Sequence, residues 1–259
     1  MPTFDSYPQG TPCYVELYTP DQEAAKAFYG SLFGWALTDS DLGNGAHYTS
    51  ATLNDSHVAG LSPQFGDMAD HPAFWSVYLA VDDVDATAAK VTDAGGTVEV
   101  GPMDVMDLGR MASIQDPTGA RVNLWQAVTA VGTELANEPG TPIWNELVSP
   151  DLATATAFYA TVLGATWDKV TMEGGDYLML KVGDRPVAGG LPPMMDGIPP
   201  HWNVYFNVTD VDESIVKAES LGGRLVVPPM DMADVGRLAC LADPQGGMFW
   251  LMGAPAEAA

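Results

Sequence analysis

The sequence contains two copies of one pattern, and this duplication limits the folds that the chain can adopt. Residues 10–17 return in closely similar form as residues 140–147, and residues 102–112 return in the same order as residues 229–239. A chain of 259 residues is long enough for two domains that each have a hydrophobic core. The sequence therefore predicts two domains of the same fold.

The boundaries of these domains follow from the two copies. We predict a first domain over residues 1–126 and a second domain over residues 140–259. The residues between them, 127–139, show neither the helical nor the strand period of apolar side chains. We therefore interpret them as a linker.

Each copy shows the hydrophobic pattern of two similar modules. In the first copy, an alternating, strand-like segment stops at Pro20 and Asp21, which suit the start of a helix. Apolar residues at three- and four-residue spacing predict a helix over residues 23–33 that ends at Gly34. Three strand-like segments follow, and the same order begins again at Trp75. The pattern predicts an α+β fold of four βαβββ modules, two in each half of the chain.

The charge of the chain excludes several classes of partner. Asp and Glu number 34 against 10 Lys and Arg, and the formal charge of −24 repels nucleic acid and anionic membrane surfaces. The sequence opens without a basic stretch before an apolar run, and it contains no run of about 18 apolar residues. We expect a cytoplasmic protein whose partner is a small-molecule ligand. The sequence leaves both a monomer and a homodimer open.

Several short motifs resemble those of one known superfamily. Phe28 and Tyr29 followed by Gly34, the segment 81–85 that opens a second helix, and the Asp-Pro-x-Gly turn at 116–119 occur in both halves in related form. They are similar to motifs of the vicinal oxygen chelate superfamily, which comprises glyoxalase I, bleomycin-resistance proteins, fosfomycin-resistance enzymes and extradiol dioxygenases. The double length most resembles two-domain glyoxalase-like proteins of actinobacteria. The resemblance implies cupped mixed or antiparallel sheets with the helices outside.

The resemblance also implies where a metal would lie. Metal-using members hold one divalent cation with His and Glu side chains inside the cupped sheet. The matching positions carry Tyr14, Gly60, Ser76 and Asn123 in the first half, and Trp144, residues 189–190, Asn203 and Trp250 in the second. Neutral side chains of these kinds do not replace the imidazole and carboxylate ligands that first-row metals need. We therefore expect no metal and no other cofactor.

Strand alternation predicts what the cups contain instead. Residues two apart on a strand face the same way, so side chains near the absent metal ligands share their surface. The predicted ligand-binding residues are Tyr14, Ser76, Tyr78, Asn123, Trp125, Trp144, Asn203, Tyr205 and Trp250, with Glu16 and Glu146 beside them. Aromatic faces with a few amide and hydroxyl groups suit a flat, largely apolar ligand that carries some oxygens.

Glu16 and Glu146 are the predicted catalytic candidates. A carboxylate among Tyr and Trp side chains is desolvated, so its pKa rises and it can act as a general base toward a carbon acid or an enol. The alternative is a structural role, in which each Glu accepts hydrogen bonds from the backbone or from Tyr. Contact with the ligand but no catalysis is a third interpretation.

Arg110 and Arg237 are two further candidates for ligand binding. Each follows a Gly at the start of a strand-like segment, and a guanidinium there can clamp an anionic oxygen of a ligand. The alternative is an ion pair with a nearby aspartate, such as Asp104 or Asp231, that fixes the preceding loop. Both interpretations stay open at the level of the sequence.

Three functions remain, in decreasing order of support. The first is metal-free binding of a small, aromatic or polyketide-like metabolite or antibiotic. The second is a metal-independent tailoring enzyme, of isomerase, lyase or hydroxylase type, that uses Glu16 or Glu146 as a base. The third, a metal-dependent glyoxalase or dioxygenase, is disfavoured by the substituted ligand positions. The sequence does not determine whether each cup forms within one half or between halves.

Overall fold

Both halves of the chain fold into the same series of elements. The computed structural model describes residues 3–43, 45–64, 71–172 and 175–254. The first half contains β1 (Pro12–Thr19), α1 (Gln22–Phe33), β2 (Ala36–Gly43), β3 (Ala46–Leu53), β4 (Ser56–Pro63), β5 (Phe74–Ala80), α2 (Val84–Asp93), β6 (Thr97–Val105), β7 (Gly109–Gln115) and β8 (Arg121–Ala127). The second half contains β9 (Pro142–Val148), α3 (Leu152–Leu163), β10 (Thr166–Met172), β11 (Gly175–Val182), β12 (Arg185–Leu191), β13 (His201–Asn207), α4 (Val211–Ser220), β14 (Arg224–Met232), β15 (Gly236–Ala242) and β16 (Met248–Gly253). The predicted α+β fold of four βαβββ modules is confirmed.

Local sequence signals set the ends of the helices. The Asp21 side chain caps α1 by accepting a hydrogen bond from the backbone N–H of Ala24 at 3.0 Å. Gly34 ends the helix with a φ of +77°, a left-handed conformation that glycine adopts without steric cost. Asp151 and Gly164 play the same roles for α3. The helices therefore begin and end where the sequence predicts.

Each half forms one eight-stranded mixed sheet from its own two modules. The first sheet has the order β2-β3-β4-β1-β5-β8-β7-β6, and the second repeats it as β10-β11-β12-β9-β13-β16-β15-β14. The central pair β1 and β5 is antiparallel, whereas β1–β4 and β5–β8 are parallel. In this register Glu16 lies level with Gly60 on one side and with Ser76 on the other. Each predicted cup therefore belongs to a single half.

The two halves share one hydrophobic core. Phe28 of α1 packs edge-on against Phe249 of the second sheet, with ring centroids 6.1 Å apart. Trp75 of the first sheet packs against Phe206 of the second at 5.0 Å. The indole N–H of Trp35 also donates to the backbone carbonyl of Gly140 at 2.7 Å, so polar contacts join the halves as well. Because one face of each sheet is buried in this core, the opposite face points away from it.

The predicted linker packs along the first half. The backbone N–H of Thr133 donates to the carbonyl of Cys13 at 2.8 Å, and that of Glu134 donates to the carbonyl of His57 at 2.7 Å. Leu135 is buried. The segment is therefore ordered by contacts with β1 and β4, while the proposed domain boundaries stay a prediction. None of the helices in the described part of the chain has the length and apolar character needed to cross a membrane.

Candidate functional site

The outward face of the first sheet carries a buried carboxylate surrounded by hydroxyl groups. We call this face the first cup, and it comprises Tyr14, Glu16, Tyr18, Tyr48, Ser62, Ser76, Tyr78, Asn123 and Trp125. Glu16 projects from the central strand β1 and is only 4% exposed. Alternation along β1 places Tyr14 and Tyr18 on the same face. The predicted cup residues of the first half are therefore brought together around Glu16.

Three hydroxyl groups donate hydrogen bonds to the Glu16 carboxylate. Ser62 donates to Oε1, Tyr78 donates to Oε2, and Tyr18 also donates to Oε2 at 3.2 Å. The hydroxyls of Tyr18 and Tyr78 lie 3.1 Å apart. Burial raises the pKa of Glu16, and the three hydrogen bonds oppose this shift without cancelling it. The carboxyl group therefore holds its proton more tightly than an exposed glutamate does.

Amide and hydroxyl groups continue this polar surface toward β8. The Ser113 hydroxyl donates to Asn123 Oδ1 at 2.6 Å, and Asn123 Nδ2 donates to Ser76 Oγ at 3.0 Å. The indole N–H of Trp125 donates to the carbonyl of Ala130 at 2.9 Å, which fixes the ring. Ser76, Asn123 and Trp125 are thus held in defined orientations at the positions that the sequence predicts.

The outward face of the second sheet repeats the arrangement with different side chains. We call it the second cup, and it comprises Trp144, Glu146, Tyr177, Asn203, Tyr205 and Trp250. Glu146 accepts hydrogen bonds from Tyr177 at 2.6 Å and from Tyr205. The rings of Tyr205 and Trp250 are stacked, with centroids 5.4 Å apart and planes 21° from parallel. Burial raises the pKa of Glu146 as well.

The two cups are not chemically equivalent. Tyr18 and Ser62, which donate to Glu16, correspond by the repeat to Val148 and Leu191 in the second half. Glu146 therefore has fewer hydroxyl neighbours and more apolar ones than Glu16. In the second cup, His201 Nε2 lies 3.1 Å from Asn203 Oδ1, a contact that has no imidazole counterpart in the first. A ligand that binds to both cups would therefore contact more polar side chains in the first cup than in the second.

Tyrosine hydroxyls occupy the corner where the superfamily places a carboxylate ligand on the fourth strand of a module. A methyl group added at Gly60 would overlap the hydroxyl of Tyr48 and lie 2.7 Å from that of Tyr14. A methyl group at Gly189 would likewise overlap the hydroxyl of Tyr177. Tyrosine hydroxyls thus fill the space that a carboxylate ligand would need, and the two glycines carry no ligand atom, so the residues present do not fit the metal site that the resemblance implies.

Acidic and imidazole groups are also too dispersed for a conventional metal centre. Within residues 3–43, 45–64, 71–172 and 175–254, the His, Cys, Asp and Glu side chains form no group of three suited to hold a metal ion. Stable binding of first-row metals generally requires three or more such ligands. The expectation of a metal-free protein stays a prediction that only metal analysis can test.

The structure places Arg110 and Arg237 in ion pairs. The Arg110 guanidinium meets the Asp85 carboxylate with two contacts of 2.7 and 3.0 Å and Asp104 at 2.7 Å. Arg237 makes the equivalent contacts with aspartates of α4 and β14. The interpretation as an Arg–Asp pair thus has direct geometric support, whereas the role as a ligand clamp stays a prediction without such support.

Four residues of the cups were not among the predicted site residues. Tyr18 and Ser62 lie two residues after Glu16 and Gly60 on β1 and β4, and therefore on the same face of the sheet. Extending the alternation by two residues along each strand would have identified them. Tyr48 and Tyr177 occupy equivalent positions in the two halves, and the repeat itself was the available signal. All four donate to, or lie beside, the two buried carboxylates.

Comparison with known proteins agrees with this geometry. The model of the glyoxalase/bleomycin resistance protein/dioxygenase superfamily matches residues 13–124 and again residues 141–251. The proposed glyoxylase CFP32 of Mycobacterium tuberculosis is 47% identical over 252 residues, which cover 96% of this chain and 97% of that protein. The anthracycline biosynthesis protein DauV of Streptomyces sp. strain C5 is 37% identical over 254 residues, covering 93% of this chain and 92% of that protein.

Solved structures with the same fold are more distant in sequence. The Mn(II)-bound glyoxalase from Novosphingobium aromaticivorans superposes with a TM-score of 0.65 at 20% identity, covering 97% of this chain and 86% of that one. The dioxygenase LapB from Pseudomonas sp. KL28 superposes with a TM-score of 0.64 at 16% identity, covering 98% and 96%. At these identities the likeness concerns the fold alone.

Proposed function

Because the chain belongs to the glyoxalase/bleomycin resistance protein/dioxygenase superfamily, we propose that it binds a small aromatic or polyketide-like metabolite or antibiotic in its cups. The observation that carries this proposal is the buried carboxylate ringed by tyrosines in each cup. Aromatic side chains and hydroxyl groups stand where metal-using relatives need His and Glu, so the surface suits recognition of a ligand without metal coordination.

The chemistry of the cups indicates the class of ligand. The partly exposed indole of Trp250, stacked on the buried ring of Tyr205, presents a flat aromatic surface, and Asn203 offers amide hydrogen bonds on the neighbouring strand. Planar fused rings with phenol and carbonyl oxygens match such a surface, because the rings stack and the oxygens fix orientation. The similarity to DauV supports the same class, since anthracyclines are fused-ring aromatic polyketides.

Titration with quinizarin, a dihydroxyanthraquinone, tests the proposal. We expect saturable quenching of tryptophan fluorescence and a Trp250→Ala variant that binds about tenfold or more weakly. An aromatic stack contributes about 0.5–1.5 kcal/mol beyond burial of area, and tenfold corresponds to about 1.4 kcal/mol. The exposed helix residue Val216 supplies the control, because Val216→Ala leaves both cups intact. Absence of saturation, or equal affinity of Trp250→Ala and the wild type, would contradict the proposal.

A second candidate function is metal-independent proton transfer. It is favoured by one observation, the burial of Glu16 and Glu146 that raises the pKa of both carboxyl groups. A carboxylate with a raised pKa is a stronger base, and the neighbouring tyrosines remain protonated donors because burial raises the pKa of Tyr78 and Tyr205 too. A bound carbon acid would lose a proton to Glu16 or Glu146 and regain one at another atom.

Hydrogen exchange of anthrone separates catalysis from binding. Anthrone is a carbon acid with an enol tautomer, so a base catalyses incorporation of deuterium from heavy water at its methylene carbon. If the protein is an enzyme, Glu16→Gln or Glu146→Gln should slow this exchange by about 10²–10⁴-fold while anthrone still binds. Exchange at the uncatalysed rate with all three proteins, despite binding, would leave the protein as a binder only.

A further inference from the structure

A separate cavity of about 380 Å³ lies between the two halves. Its wall is formed by the segment before β1, the first residues of β1 and β9, the linker and the hairpin that joins β11 to β12. Tyr14 and Trp144 form part of this wall, whereas Glu16 and Glu146 are not among its lining residues. We call it the interhalf cavity. Its volume lies within the range of about 300–1,000 Å³ that is usual for small-molecule sites.

Two lining residues carry oxygens that lack a hydrogen-bond partner. Asn145 is 8% exposed, and its Oδ1 atom is buried without a partner among the described residues. Oγ1 of Thr11 is in the same situation. Buried polar atoms are nearly always hydrogen-bonded, so each of these two oxygens, one from each half, lacks a partner at the wall of the cavity. A ligand with a hydroxyl group can supply it.

A cationic side chain stands at the same cavity. Arg185 lines it from the start of β12 and is exposed. No acidic group of the described ranges forms an ion pair with Arg185, in contrast to Arg110, Arg121 and Arg237. The chain as a whole has a net charge of −24 and repels anions, but a guanidinium without an acidic partner attracts an anion locally.

The first half has different contacts at the place that corresponds to this cavity. On the first half, the linker covers the equivalent hairpin: the Glu134 carboxylate accepts the backbone N–H of His57 at 2.9 Å, and Thr133 donates to the carbonyl of Val58 at 3.2 Å. The equivalent of His57 is Pro186, which has no N–H and lines the cavity. The position that corresponds to Asn145 is Val15. An apolar residue is thus sufficient for folding at that position of the repeat.

We propose that the interhalf cavity binds a small hydroxylated aromatic carboxylate. The ring packs among the aromatic and proline side chains of the wall, the hydroxyl group donates to Asn145 Oδ1, and the carboxylate pairs with Arg185. This site shares Tyr14 and Trp144 with the cups but excludes Glu16 and Glu146, and its proposed ligand does not depend on the function proposed for the cups. The proposed ligand would provide the hydrogen-bond donor that the buried Asn145 Oδ1 atom lacks among the described residues.

Calorimetric titration with para-hydroxybenzoate tests the carboxylate contact. We expect saturable binding that Arg185→Gln weakens by tenfold or more. The methyl ester, which lacks the negative charge, should bind the wild type and Arg185→Gln equally. Arg185 is exposed, so its replacement leaves the core intact. Absence of saturable binding, or an equal affinity of the acid for both proteins, would overturn the proposal.

The Asn145→Val variant tests the amide contact and takes its side chain from Val15 of the other half. It should raise the midpoint of thermal unfolding, because a buried atom without a partner is removed, and it should abolish the preference for para-hydroxybenzoate over benzoate. Trp250→Ala in the second cup should leave the affinity unchanged. Retained preference in Asn145→Val, or a loss of affinity in Trp250→Ala, would place the ligand elsewhere and refute the assignment.

Discussion

Replacement of Tyr29 by alanine is expected to lower the free energy of unfolding by about 3–5 kcal/mol, the usual cost of removing a large buried aromatic side chain. Tyr29 is fully buried in α1 of the first half, and its hydroxyl donates to Asp243 of the second half at 2.8 Å. It also accepts the indole N–H of Trp75 at 3.0 Å. The substitution therefore removes packing and leaves two buried polar partners unsatisfied.

Because the core is continuous, this loss should affect both halves at once. We expect a single urea transition, monitored by circular dichroism and by tryptophan fluorescence, that shifts as a whole in Tyr29→Ala. Tyr29→Phe keeps the ring and should cost about 1–3 kcal/mol, the penalty for unpaired buried groups. The exposed-site control Val216→Ala should change stability by less than about 0.5 kcal/mol. Two separate transitions, of which only one moves, would contradict a shared core.

The local structure was predictable because its signals are local. Spacing of apolar residues predicted a helix over residues 23–33, and the helix spans Gln22–Phe33. The predicted end at Gly34 is correct because the chain leaves the helix with a left-handed φ, which glycine adopts without steric strain. Alternation likewise placed Glu16 and Ser76 on one face, and the register sets them opposite each other.

The remaining features depend on contacts between distant segments. Tyr48 reaches the space above Gly60 only because β3 pairs with β4, and strand pairing is not encoded in the period of either strand. The interhalf cavity depends on how the linker packs, with Glu134 hydrogen-bonded to the first half and Asn137 hydrogen-bonded to Pro142 at the start of the second. Asp85, the main partner of Arg110, lies on α2, 25 residues earlier in the chain, and only the fold brings the two together.

Stability is expected to fall less steeply with rising pH when Glu16 and Glu146 are both replaced by glutamine. Burial raises the pKa of each carboxyl group above its ordinary value of 4.5. The folded protein therefore binds these protons more tightly than the unfolded chain does. The stability that this proton binding contributes is complete below pH 4.5, and it is lost as the pH rises through the folded pKa.

Urea unfolding at about pH 5 and about pH 8 measures this difference. The stability of Glu16→Gln/Glu146→Gln relative to the wild type should increase between the two conditions, because only the wild type must ionise buried carboxyl groups. Glu219→Gln makes the same chemical change at an exposed position of α4 and should follow the wild type at both pH values. An unchanged difference between the double variant and the wild type would show that folding does not raise the pKa of either carboxyl group.

The same titration links stability to the choice between binding and catalysis. A glutamate acts as a base only after it loses its proton, so exchange of anthrone by Glu16 or Glu146 should rise in the pH range in which the wild type loses stability relative to the double variant. Binding of quinizarin by stacking in the second cup needs no such ionisation. Exchange that rises outside this range would assign the base to a group other than these two carboxylates.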